Sequence, residues 1–136
     1  MKIIILSMLL LFGFCTVQAN IVLVANNDVS VSYLAKKDVK AIFLGKKKKW
    51  DDGKKAVIVI QKKGDVHKKF VRTAVGKSVS QYKTYWKKIV FTGKGKQPKT
   101  VKSDSDVLAY VARTSGAVGY ISDATSAEGV KTISIK

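Results

Sequence analysis

The chain has 136 residues, with 26 lysines and arginines against 9 aspartates and glutamates, a formal net charge of +17. That length excludes two full-sized domains, and the charge marks a surface that attracts anions. With one cysteine, Cys15, and one histidine, His67, disulfide frameworks, thiolate zinc sites and multi-histidine metal sites are excluded.

Residues 1–19 open with one basic residue, Lys2, continue through the apolar run IIILSMLLLFGF and end in Val17-Gln18-Ala19 before Asn20. This pattern predicts a cleaved secretory signal peptide, leaving residues 20–136 as a single domain. Phe12 and Phe14 stand before Cys15 where a lipoprotein signal would carry small residues, so no lipid anchor is expected. The remainder keeps 25 basic residues and a net charge of +16, with no cysteine. Beyond the leader, no run reaches the roughly 20 apolar residues of a bilayer crossing.

Ile21 to Ala25 is a branched apolar run closed by Asn26-Asn27-Asp28, which predicts a buried strand and a turn. Ala35, Val39, Ile42 and Phe43 recur at helical spacing, and Gly45 follows as a stop. Lys46 to Lys49 reads as a solvated turn, and Asp51-Asp52-Gly53 as another, with Trp50 between them. Ala56 to Ile60 predicts a second buried strand, broken by Lys62 to Asp65. Val66, Phe70 and Ala74 mark a short helix ending at Gly76. A longer helix starts near Val79 with the apolar face Val79, Tyr82, Trp86, Ile89 and Val90, and ends before Gly93-Lys94-Gly95. The segment around Pro98 reads as a loop. Ser103 and Asp106 resemble a capping pair before Val107, Leu108 and Val111. Gly116 ends that helix, Val118 to Ile121 is a strand, and Val130 to Ile135 alternates like a half-exposed final strand. Strands separated by helices predict an α/β domain on a mainly parallel sheet flanked by helices.

Catalytic signatures are missing from this pattern. His67 sits among lysines without a paired nucleophile, and the acidic residues are scattered. Asp51-Asp52-Gly53 lacks the alternating oxygen ligands of a cation loop. Ser115-Gly116-Ala117-Val118-Gly119 lacks the strand-to-helix order of a nucleophile elbow. No enzyme, metal or cofactor is expected. Of the 25 basic residues after the leader, only Arg72 and Arg113 are arginines, so bidentate forks are scarce and no specific nucleic-acid binding is expected. The Lys46–Lys49 run is compatible with a wet turn, or with attraction to anionic lipid headgroups, polysaccharide or a small oxyanion. Helix N-termini are a second anion device, predicted near Ala35, Asp65 and Ser103. In a parallel sheet they open on one edge. The start at Gly64, Asp65, Val66, His67 and Lys68 is the leading anion-binding candidate, because Gly64 permits close approach while His67 and Lys68 add donors. Its alternative is a helix capped by its own Asp65.

Taken together, Ile42-Phe43-Leu44-Gly45, Trp50 with Asp52-Gly53, Phe70, Trp86 with Phe91-Thr92-Gly93, and Gly116-Ala117-Val118-Gly119-Tyr120-Ile121 form a pattern that resembles the periplasmic phosphate-binding proteins of ABC transporters, in particular short single-domain relatives. The resemblance runs from Ile21 to Ile121. It implies one lobe of the type II periplasmic binding protein fold, a periplasmic location, and inorganic phosphate or a similar small anion as partner. Family members grip phosphate between two lobes with hydroxyls and helix N-terminal amides, and this chain looks like the second lobe. It carries Lys63-Gly64-Asp65-Val66-His67-Lys68 where the family has a serine-rich loop with a nearby arginine. Two functions follow: weak oxyanion binding for a transporter or sensor, or a ligand-free module whose lysine surface engages a periplasmic or membrane protein partner.

Overall fold

Apolar residues in β1 (Ile21–Ala25) alternate across the sheet, with Leu23 and Ala25 entering one core and Val24 the other. The computed structural model describes residues 20–136, and the signal-peptide reading of residues 1–19 lies outside the described residues. The other strands are β2 (Tyr33–Leu34), β3 (Val57–Gln61), β4 (Lys99–Val101), β5 (Ala117–Ser122) and β6 (Lys131–Ile135). They form one six-stranded sheet in the order β2-β6-β1-β5-β3-β4. β3 is parallel to β4 and β5, and β2 to β6, while β1 runs antiparallel to both its neighbours. The mainly parallel sheet expected from the strand and helix alternation is therefore present, with β1 as its exception.

The helices are α1 (Lys36–Phe43), α2 (Asp65–Phe70), α3 (Val79–Phe91) and α4 (Asp104–Arg113), and α2 runs directly into a π-helical turn, Val71–Val75. Residues of α1, α2, the π-helical turn and α3 cover one face in an aromatic-rich core that includes Phe43, Trp50, Phe70, Tyr82, Trp86 and Tyr120. α4 covers the other face, where Val107 and Val111 meet Val24, Val59, Ala117 and Ile121. α3 is joined to the end of α1 by two phenols, with Tyr82 donating to the Phe43 carbonyl and Tyr85 to the Leu44 carbonyl, both at 2.6 Å. These carbonyls lie at the C-terminus of α1, where no intrahelical donor remains.

The residues that carry the family resemblance are structural. Trp50 donates its indole N–H to the Gly116 carbonyl at 2.9 Å. Gly116 has φ +72°, and a Cβ there would stand 2.1 Å from the Lys55 carbonyl oxygen, so no side chain fits. A Cβ on Gly119 would meet Val107 Cγ1 at 2.8 Å, so its absence lets α4 approach the sheet. Gly45 underlies the Trp86 ring, with 2.7 Å from a built Cβ to Cη2.

One expectation is corrected, and one strand is added. The segment after Pro98, read as a loop, contains β4, whose three residues pair with β3 and are too few for a periodic signal. β2, two residues long, is invisible for the same reason.

Candidate anion site

All strands but β1 share one direction, so the segments after β2, β3 and β4 emerge at the same edge of the sheet and lead there into α1, α2 and α4. β2 lies at one end of the strand order, whereas β3 and β4 are adjacent at the other. The starts of α2 and α4 thus come together, and the start of α1 stands apart. Lys62 N–H donates to the Val101 carbonyl at 2.8 Å and locks the two emerging segments side by side. Between them lies an open depression of about 200 Å³ lined by Lys62, Lys63 and Lys102.

Gly64 is the N-cap of α2, with φ 107°, and no side chain caps the helix. Asp65 is the first residue inside the helix and is exposed. It therefore does not cap its own helix, which corrects the self-capped alternative. A carboxylate in the first turn interacts favourably with the helix dipole instead. Val66 is half-buried and Lys68 is exposed. α4 begins differently, with the Ser103 hydroxyl accepting from Asp106 N–H at 3.2 Å.

His67 turns away from the rim. It is 4% exposed, and its Nδ1 lies 2.5 Å from the Tyr120 hydroxyl. That hydroxyl also accepts Gln61 N–H at 2.9 Å, an arrangement that suits a phenol proton directed at Nδ1 of an imidazole protonated on Nε2. Burial lowers the His67 pKa and raises that of the Tyr120 phenol, which keeps both groups neutral. Tyr120 stacks on Phe70 with ring centroids 3.8 Å apart. The imidazole is thus a hydrogen-bonded core group and adds no donor to the helix start.

Asp104, the first residue of α4, gathers donors from β3, β5 and the turn after β5. Gln61 Nε2 reaches one carboxylate oxygen at 2.7 Å, and Ser122 N–H at 3.1 Å and the Thr125 hydroxyl at 2.7 Å reach the other. The chain's own carboxylate takes up the amide that ends β5 and the hydroxyl of the turn after it, leaving lysines and the uncapped α2 start for any guest. Of the predicted residues, Gly64, Asp65 and Lys68 are at the surface of this rim. The sequence reading missed Lys102, Gln61 and Asp104 as residues of the same edge. Recognising β4 after Pro98 would have placed the start of α4 beside that of α2. Among the described residues, no cluster of three or more acidic, histidine or cysteine side chains could hold a metal ion.

No family model and no curated protein matches the chain. Solved structures do share its fold. A phosphate ABC transporter substrate-binding protein from Clostridium perfringens, solved with bound phosphate, superposes with TM-score 0.67 at 17% identity over 86% of this chain and 45% of its own. An ABC-type phosphate transport receptor from Vibrio cholerae gives TM-score 0.57 at 19% identity over 86% of this chain and 46% of its own. PstS from Borrelia burgdorferi gives 0.64 at 13% identity over 87% of this chain and 47% of its own. The chain spans under half the length of these binding proteins, and its fold is that of a single lobe of the periplasmic binding protein type.

Proposed function

We propose, from this shared lobe fold, that the chain is an exported, solute-binding-like protein of the periplasm that takes phosphate or a similar oxyanion weakly and serves a transporter or sensor without catalysing a reaction. The observation that carries this reading is the depression lined by Lys62, Lys63 and Lys102 at the adjoining starts of α2 and α4. Ammonium groups and uncapped helix amides are the donors an oxyanion seeks. An open rim leaves the ion hydrated on its outer side, so each lysine contact is worth about 1 kcal/mol or less. Asp104 already occupies the hydroxyl and amide donors nearby. Both features argue for dissociation constants on the order of 1 mM.

Calorimetric titration of residues 20–136 with phosphate and sulfate at rising salt tests the proposal. Saturable binding is expected, weakened severalfold in Lys102→Ala and in Lys63→Ala. Lys68→Ala should matter less, because Lys68 lies outside the depression. Absence of saturable binding at low salt would reject the small-anion reading. The same lobe would then serve as a ligand-free module that engages an envelope partner through its lysines.

A further inference from the structure

The most exposed large apolar side chain of the described residues is not at the rim. Phe91, the last residue of α3, is 92% exposed, and Val90 beside it is 43% exposed. Burying such a ring is favourable, so Phe91 together with Val90 offers an apolar tip to a surface that can cover it.

Its neighbours are cationic. Lys87 and Lys88 precede Phe91 by four and three residues and share its side of the helix. Lys94 and Lys96 follow in a loop folded back on the last turn, where a Cβ on Gly95 would stand 3.0 Å from Ile89 Cγ2. Lys48, from the lysine run left without a role by the rim, reaches the Lys94 carbonyl at 3.4 Å. The helix end is also closed to itself. Gly93 at φ +71° allows Gly93 N–H to bond the Val90 carbonyl and Lys94 N–H the Ile89 carbonyl, at 3.1 and 3.0 Å, a Schellman ending. Thr92 adds its hydroxyl to the Lys88 carbonyl at 2.8 Å. The carbonyls of Lys88, Ile89 and Val90 are therefore paired within the chain, which lowers the cost of bringing this turn to a nonaqueous interface.

We propose that this tip binds the surface of a bilayer containing anionic phospholipid, with Phe91 and Val90 entering the headgroup boundary and the lysines ringing them at the lipid phosphates. Charge complementarity selects an anionic surface, and Phe91 selects one with an apolar interior. Its cations are lysines on flexible stems without an arginine fork. Such a set suits a fluid, laterally mobile array of charges better than the fixed carboxylates of a folded partner. The proposal does not depend on the oxyanion reading, because none of its residues lines the rim depression.

The test is sedimentation of residues 20–136 with vesicles of phosphatidylcholine alone or of equal parts phosphatidylcholine and phosphatidylglycerol. Binding to the anionic vesicles alone is expected. Phe91→Ser should lower the partition coefficient on the order of tenfold, and the double variant Lys94→Glu/Lys96→Glu by at least as much. Lys102→Ala should leave it nearly unchanged. Because Phe91 is exposed, its replacement leaves the fold intact, which circular dichroism checks. In a Phe91→Trp variant, brominated acyl chains should quench the new indole, whereas Trp50 and Trp86 are buried and stay unquenched. Equal binding by Phe91→Ser, or no quenching of the Phe91→Trp indole in bound protein, would overturn the proposal in favour of charge-only adsorption. Retention on immobilised polyglutamate without vesicle binding would overturn it in favour of an acidic protein.

Discussion

At the N-terminal ends of β3 and β5, the indole of Trp50 bonds the Gly116 carbonyl, and Asp28 accepts from the Ser115 hydroxyl and Gly116 N–H while pairing with Lys54 at 3.3 Å. At the C-terminal ends of the same strands, Lys62, Lys63 and Lys102 line an open depression and α2 begins without a cap. Both ends assemble amides, hydroxyls and ammonium groups. At the first, the chain supplies the anion itself and the edge is closed. At the second, Asp104 answers part of the donor set and the lysines remain open. The two edges differ in the donors their own carboxylates leave unmatched, more than in their count of positive charges.

Removing the plug of the closed edge should produce the largest effect. Trp50 is 2% exposed, and Trp50→Ala deletes its packing and one of the two hydrogen bonds to the Gly116 carbonyl, which keeps Val57 N–H. A loss of about 3 to 5 kcal/mol is expected in urea unfolding. Lys63→Ala at the open edge should leave the unfolding midpoint nearly unmoved. Comparable losses from the two would erase the distinction between a structural and an available edge.

This division also explains what the sequence disclosed. Trp50 bonds Gly116, Trp86 covers Gly45, and Gly119 lets Val107 approach, so a pattern built on these residues reports the fold. Helical spacing located α1, α2, α3 and α4, alternation located β6, and short apolar runs located β1, β3 and β5, which feed the cores on both sides of the sheet. The rim was harder to read. Its defining lysines resemble every other surface lysine in a chain with 26 basic residues, and their proximity depends on the three-residue β4. His67 looked like a donor from its lysine neighbours, yet helical spacing also places it three residues before Phe70, on the inward side. That spacing was the available signal for a core role.

A smaller effect should come from pH, through the buried group under the open rim. His67 is neutral in the fold, with its pKa lowered from 6.5 by burial. The unfolded chain binds the proton more readily, so stability should be full above about pH 6.5 and decline as pH falls from there toward the lowered folded value. His67→Gln should flatten that part of the stability profile, even if its stability at neutral pH is reduced. An unchanged slope would show that the imidazole is solvated at the rim and not held by Tyr120.

The smallest expected effect is at the closed edge, where Asp28 can be neutralised without removing packing. Its pKa is lowered from 3.8, first by the Ser115 hydroxyl, then by Gly116 N–H, with Lys54 adding to both. The ionised form is thus favoured by the fold, and its contribution is present above the unfolded pKa and lost as pH falls through the lower folded value. Because Asp28 is exposed, water and salt screen much of the ion pair with Lys54. Asp28→Asn keeps an oxygen that can accept one of the two hydrogen bonds but carries no charge. A modest drop in melting temperature at neutral pH is expected, shrinking as acid protonates the wild-type carboxylate. If that gap instead persisted at strongly acidic pH, geometry and not charge would close this edge. Asp28 would then no longer serve as the built-in counterpart of the guest anion proposed for the opposite one.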